Sequence, residues 1–211
     1  MPNVLVLSFE GFSFSSRQLY EGLLPKLLSR AVVHESLTVQ DGLTYILAGW
    51  PSIVLITDPV VTIENEETEE LLSALADYTK HGCITILMGV FAAAVDHDKL
   101  EEMLKLKFDL PWRVSEEMEA HTSLHILDEN LIRVTHLVPE FTAHALYLSR
   151  VPAAQTVYVG SITPSPLAYA AYGRVGLGKL GYIGDMSFGE EAELLILAMA
   201  HLDRPEDRIH P

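Results

Sequence analysis

Cysteine is nearly absent from this chain: Cys83 is the only one in 211 residues. An intramolecular disulfide is therefore impossible, and zinc sites built from several thiolates are excluded. Positive charge is scarce too. Fourteen Lys and Arg stand against 29 Asp and Glu, a formal net charge of −15. So acidic a surface repels phosphate backbones and anionic lipid heads, which argues against nucleic acid and membrane surfaces as partners. Long apolar runs are missing as well. A membrane span needs about 18 uncharged apolar residues, and the best stretch, residues 50–63, is interrupted by Pro51, Asp58 and Pro59. The N-terminus has neither the basic flank nor the apolar length of a signal peptide, so the expected compartment is the cytoplasm.

What is present suits a large buried core: 49% of the residues are hydrophobic, in a length that fits one domain spanning 1–211. Residues 4–9, 52–57 and 83–88 are near-continuous apolar runs, the pattern of strands covered on both faces. Residues 31–39 read as a further strand, ended by Asp41-Gly42, with a short helix at 43–48. Leu19, Leu23, Leu24, Leu27 and Leu28 line one helical face, which Pro25 should break near Leu24. Asn65 is a candidate N-cap for a helix opened by Glu66, Glu67, Glu69 and Glu70, and residues 92–106 read as another helix. This alternation predicts an α/β fold: a doubly wound, flavodoxin-like, mostly parallel sheet with helices on both faces. The middle of the chain changes character. Residues 121–127 and 131–137 alternate around Asp128-Glu129-Asn130, which predicts an added antiparallel hairpin, and 139–149 reads as a helix. Strands follow at 156–160, 168–172 and 180–184, the last two joined by a turn at Gly176-Leu177-Gly178, and a helix at 188–202 closes the chain.

The segment 84–94 carries the strongest chemical hint. An apolar strand reaches Gly89 and is followed at once by small, helix-compatible residues, the form of a nucleophile elbow. The residue expected at its apex is Phe91, which cannot attack a carbonyl. The whole series of elements resembles the class I glutamine amidotransferase-like superfamily, and within it the trehalose-utilisation-like branch and related fungal proteins. The likeness rests on Phe9-Glu10-Gly11, Thr57-Asp58, Met88-Gly89-Val90-Phe91-Ala92 and the run from Gly178 to Asp185. In that family the elbow reads Gly-Ile-Cys-x-Gly. The resemblance sets Phe91 at the cysteine and Ala93 at the second glycine, with Gly184-Asp185-Met186 in place of the His-Pro-Glu-like segment. Glutamine hydrolysis needs a thiolate and a base within about 3 Å of each other, and neither stands at the expected positions.

In open α/β sheets ligands sit beyond the carboxyl ends of the strands. Those ends carry Glu10, Asp41, Asp58, Phe91 and Asp185, with Ser187 just beyond. Glu10 and Asp185 are the candidate catalytic carboxylates. Phe12, Asp58, Gly89, Val90, Phe91 and Ser187 are the candidate ligand contacts. Each has a plainer alternative: Glu10 capping a loop, Asp58 shaping the turn before Pro59, Asp185 capping a helix, Phe91 filling a vacated pocket. Glu10, if shielded beside an aromatic ring, would hold its proton to higher pH. The nine histidines suggest no metal site. Asp96-His97-Asp98 are consecutive on a helix, and His121 and His125 on a strand would lie about 13 Å apart. The glycines at 173–178 sit in a hairpin rather than before a helix, so no dinucleotide fingerprint is present and no cofactor is expected. The reading is a cofactor-free small-molecule enzyme using carboxylate acid–base chemistry on a partly apolar metabolite. Two alternatives stand beside it: a non-catalytic binding or regulatory protein, and a scaffold subunit that pairs with itself or a partner, since members of the family it resembles often oligomerise.

Overall fold

The structure is a computed structural model that describes residues 1–10, 13–17, 19–125, 131–161 and 166–207. Its first half alternates strand and helix: β1 (Asn3–Leu7), α1 (Phe14–Arg17), α2 (Leu23–Arg30), β2 (Val32–Ser36), α3 (Val39–Leu47), β3 (Ile53–Ile56), α4 (Glu66–Lys80), β4 (Ile84–Leu87), α5 (Phe91–Ala94) and α6 (His97–Leu106). Its second half is almost all strand: β5 (Arg113–Leu124), β6 (Glu140–Ser149), β7 (Thr156–Gly160), β8 (Leu167–Val175) and β9 (Gly178–Ile183), followed by α7 (Glu190–Met199).

The nine strands form one sheet in the order β2-β1-β3-β4-β9-β8-β6-β5-β7, and β8 also pairs with β7. β2, β1, β3, β4 and β9 are parallel to their neighbours. Every pairing from β9 onward is antiparallel. Because β8 meets both β6 and β7, the strands β6, β5, β7 and β8 curl into a closed ring. This corrects the expectation of a mostly parallel, flavodoxin-like sheet: antiparallel pairings dominate the second half, which is barrel-like. The reason lies in the connections. A parallel return needs a crossover of a dozen or more residues, usually a helix, and the described connections after β5 hold no α-helix before α7.

Local departures have local causes. The hairpin expected around 128–130 is not formed as drawn: β5 pairs with β6, in the segment read as a helix, from Arg113↔Ser149 to Ser123↔Glu140. The turn residues 128–130 themselves lie outside the described residues. Asp41-Gly42 does not end β2, because α3 has already started at Val39 under a Thr38 cap. Gly42 lies inside that helix, where a Cβ would come within 2.9 Å of Leu7 Cδ2. The expected helix 92–106 is two helices, with Asp96 capping the second by accepting the Lys99 N–H at 3.1 Å. Pro25 falls in the first turn of α2, where its missing N–H would have had no partner. Asn65 closes a reciprocal capping box with Thr68 at the start of α4.

Successive β1 residues divide between two cores. Val4 and Val6 face a layer built with α2 and α7; Leu5 and Leu7 face one built with α3, α4 and α6. No helix among the described residues is long and apolar enough to cross a membrane.

Candidate functional site

The carboxyl ends of β1, β3, β4 and β9 meet at one edge of the parallel half. Ser8 and Thr57, just past β1 and β3, are buried and share a hydrogen bond of 2.7 Å. Beyond β4, the Met88 N–H still donates to Ile56 O at 2.9 Å, and Gly89 then turns the chain at φ +70°. A Cβ on Gly89 would lie 3.1 Å from the Thr57 carbonyl oxygen. Both the left-handed backbone and this close approach require glycine. Val90 occupies the N-cap position of α5 and Phe91 its first turn. The tip of the elbow is therefore Gly89 rather than Phe91. The Phe91 ring, 1% exposed, packs into the core on the α3–α4–α6 side. It does not floor a ligand pocket on the other face.

Asp58 is 2% exposed and spends its carboxylate on backbone. It accepts the N–H groups of Phe9 at 2.5 Å, Glu10 at 3.3 Å and Val60 at 3.1 Å, tying the exit of β1 to the 3₁₀ turn Pro59–Thr62. This is the turn-shaping alternative. Glu10 is exposed rather than enclosed beside an aromatic ring. Phe12 lies outside the described residues. Cys83 sits at the opposite end of β4 from Gly89, buried, with its thiol pushed up to about 12 by burial.

Asp185 is different. It follows β9, is 3% exposed, and accepts the N–H groups of Ser187 at 3.2 Å and Phe188 at 2.7 Å. Ser187 itself is exposed and contributes its backbone. Burial raises the Asp185 carboxyl above the ordinary carboxylate range; the two N–H bonds and the Tyr169 hydroxyl pull the other way and are outweighed. Tyr20 and Tyr169, 2% and 1% exposed, face this carboxylate. Burial, and then the Asp185 charge, drive both phenols up, so they stay protonated. The Tyr20 hydroxyl also faces the Gly89 backbone. Neither hydroxyl closes a hydrogen bond of ordinary geometry.

Tyr20 and Phe188 both hold left-handed backbones, φ 58° and 55°, and meet edge to face at 5.5 Å. Non-glycine residues in that conformation carry strain of about 1–3 kcal/mol each and cluster at functional sites. Tyr20 also walls a cleft of about 350 Å³ with Phe14, Ser15, Leu19, Glu21, Leu24 and Pro25. The structure thus sets beside Asp185 two tyrosines that the sequence reading missed. Their one signal was Tyr169 within the buried run Leu167–Val175: a phenol placed in so apolar a strand needs a partner for its hydroxyl. Among the described residues, no group of three or more His, Cys, Asp or Glu is placed to hold a metal ion.

No protein-family model matches the chain, and no curated protein matches it. Solved structures do share its architecture. A ThuA-like protein from Bacteroides uniformis superposes with a TM-score of 0.62 at 10% identity, over 95% of this chain and 90% of its own. Another from Parabacteroides merdae gives 0.59 at 10% identity, over 100% and 92%. The fold is that of these two ThuA-like proteins. It also recurs inside a longer chain, a β-galactosidase from Halorubrum lacusprofundi, with a TM-score of 0.56 at 17% identity over 96% of this chain and 29% of that one. At these identities the likeness is one of fold.

Proposed function

We propose that this chain is a cofactor-free enzyme acting on a small metabolite, with Asp185 as its general acid–base. One observation carries the reading: a buried carboxyl with raised proton affinity, at the carboxyl end of the parallel strands, faced by the buried hydroxyls of Tyr20 and Tyr169. A carboxyl shifted toward neutrality can both take and return a proton, which suits isomerisation, elimination or hydrolysis. Glu10, the other candidate, lacks that environment. Glutamine hydrolysis is not part of the proposal, because the sole thiol is buried at the far end of β4. The ligand is a small molecule with an apolar portion, in keeping with the cleft beside Tyr20.

Incubation of the protein with fractionated metabolite pools, followed by mass spectrometry, tests this. We expect a product that forms about 10²–10⁴-fold more slowly with Asp185→Asn. A pool component that stabilises the protein without being converted would support the binding-protein alternative instead. Turnover undiminished in Asp185→Asn would remove Asp185 from the chemistry.

A further inference from the structure

We propose that β2 is a self-association strand, and that two copies of this chain pair their β2 strands antiparallel about a twofold axis at His34. In the sheet order β2 has β1 on one side and, among the described residues, no strand on the other. The Val32 N–H donates to Pro2 O, and Ser36 O accepts the Ser8 N–H. Val32, His34 and Ser36 therefore turn their backbone groups toward β1. Backbone direction alternates along a strand, which leaves Val33 and Glu35 presenting N–H and C=O outward. Natural edge strands are commonly guarded by Lys, Pro or a bulge. Val-Val-His-Glu-Ser has neither residue, and its register with β1 runs unbroken from Asn3↔Val32 to Leu7↔Ser36.

The outward groups select the register. An axis at Glu35 would set two carboxylates directly opposite, which is destabilising. An axis at Val33 would set Glu35 against Ala31, whose N–H is already given to Leu27 O. An axis at His34 sets Val33 opposite Glu35 of the second copy, and Glu35 opposite its Val33. Every outward N–H then meets an outward carbonyl.

The side chains favour a second copy over a different protein. His34 stacks on Tyr45 at 3.9 Å, and Trp50 meets Tyr45 edge to face at 5.2 Å. All three rings are half-buried, and Val32, on the same face of β2 as His34, is 50% exposed. Aromatic residues of this kind carry much of the energy of protein interfaces. The axis lays each cluster beside its copy. Charge agrees: residues 26–50 hold Lys26 and Arg30 against Glu35 and Asp41, so this stretch is neutral within a chain of −15. Two copies that repel elsewhere do not repel here, whereas a basic partner would gain little from a neutral surface.

Sedimentation of the full chain at about 100 µM, ample for a micromolar Kd, should show a dimer. Val33→Pro removes an outward N–H from each copy and none from the β1 ladder. Association should weaken about 10–100-fold, the worth of the two hydrogen bonds lost per dimer. The register has its own readout, because Cys83, the only thiol, is buried. Opposed residues of a non-hydrogen-bonded antiparallel pair have Cα atoms about 4.5 Å apart, within disulfide reach. His34→Cys should therefore cross-link two copies under mild oxidation. Val32→Cys, on the same face and more exposed, lies about 13 Å along the strand from its copy and should not. A monomer at that concentration, a dimer unmoved by Val33→Pro, or equal cross-linking of the two cysteine variants would overturn the proposal. If circular dichroism shows Val33→Pro unfolded, the cysteine pair decides. None of these readouts involves turnover, so they succeed or fail separately from the reading of Asp185.

Discussion

Asp185 and Asp58 are both aspartates at strand ends, both nearly closed to solvent, and yet they do different work. Asp58 meets three backbone N–H groups that need an acceptor. Asp185 meets two, together with the phenols of Tyr20 and Tyr169. The second environment favours the neutral acid, and that has a measurable sign. The native state holds the Asp185 proton more tightly than the unfolded chain, whose carboxyl titrates near pH 3.9. Its contribution to stability is therefore full below about pH 3.9 and falls as pH rises through the higher native value. We expect the melting temperature of the protein, relative to Asp185→Asn, to decline across that interval and level off above it. A difference that stays flat from pH 3 to pH 8 would contradict the assignment.

At the scale of elements, the elbow is the test case. Gly89→Ala would force a Cβ against the Thr57 carbonyl in a backbone that alanine rarely adopts. Chemical denaturation should show a loss of about 1–3 kcal/mol. An unchanged midpoint would mean the turn had relaxed. The elbow also shows how far the sequence could be read. The apolar runs of β1, β3 and β4 and the Asn65 cap were legible, because each is a local pattern with a local cause. The tip residue was off by two, since strand and turn alone do not say where the left-handed residue falls. β6 was taken for a helix because the alternation of Glu140–Ala145 gives way to the continuous run Ala145–Leu148, which the fold buries entirely. Tyr20 and Tyr169 lie about 150 positions apart in sequence and meet only through the tertiary fold, so no local pattern could pair them with Asp185.

At the scale of the whole molecule, a buried ion pair fastens α2 to the turn that follows α7. Arg30, closing α2, reaches Asp207 in the 3₁₀ turn Pro205–Asp207 through two contacts of 2.5 and 2.6 Å, with both side chains buried. Burial alone would raise the Asp207 carboxyl, but the Arg30 hydrogen bonds, the Arg204 N–H and nearby positive charge outweigh it and leave it below the ordinary range. Its contribution is accordingly complete above about pH 3.9 and is lost as pH falls through the native value, the opposite sign to Asp185. Removing one member of a buried pair strands the other, so Asp207→Ala should cost about 3–5 kcal/mol in urea denaturation. A loss below 1 kcal/mol would show that Arg30 finds a substitute.

The curled second half has a consequence for how copies of this protein could meet. With β7 stitched back to β8, the strand order among the described residues leaves a single open margin, at β2. Growth by adding strands requires two margins, one to receive and one to offer. A sheet closed on one side can join a twin across β2, and then there is nowhere left for a third copy to attach.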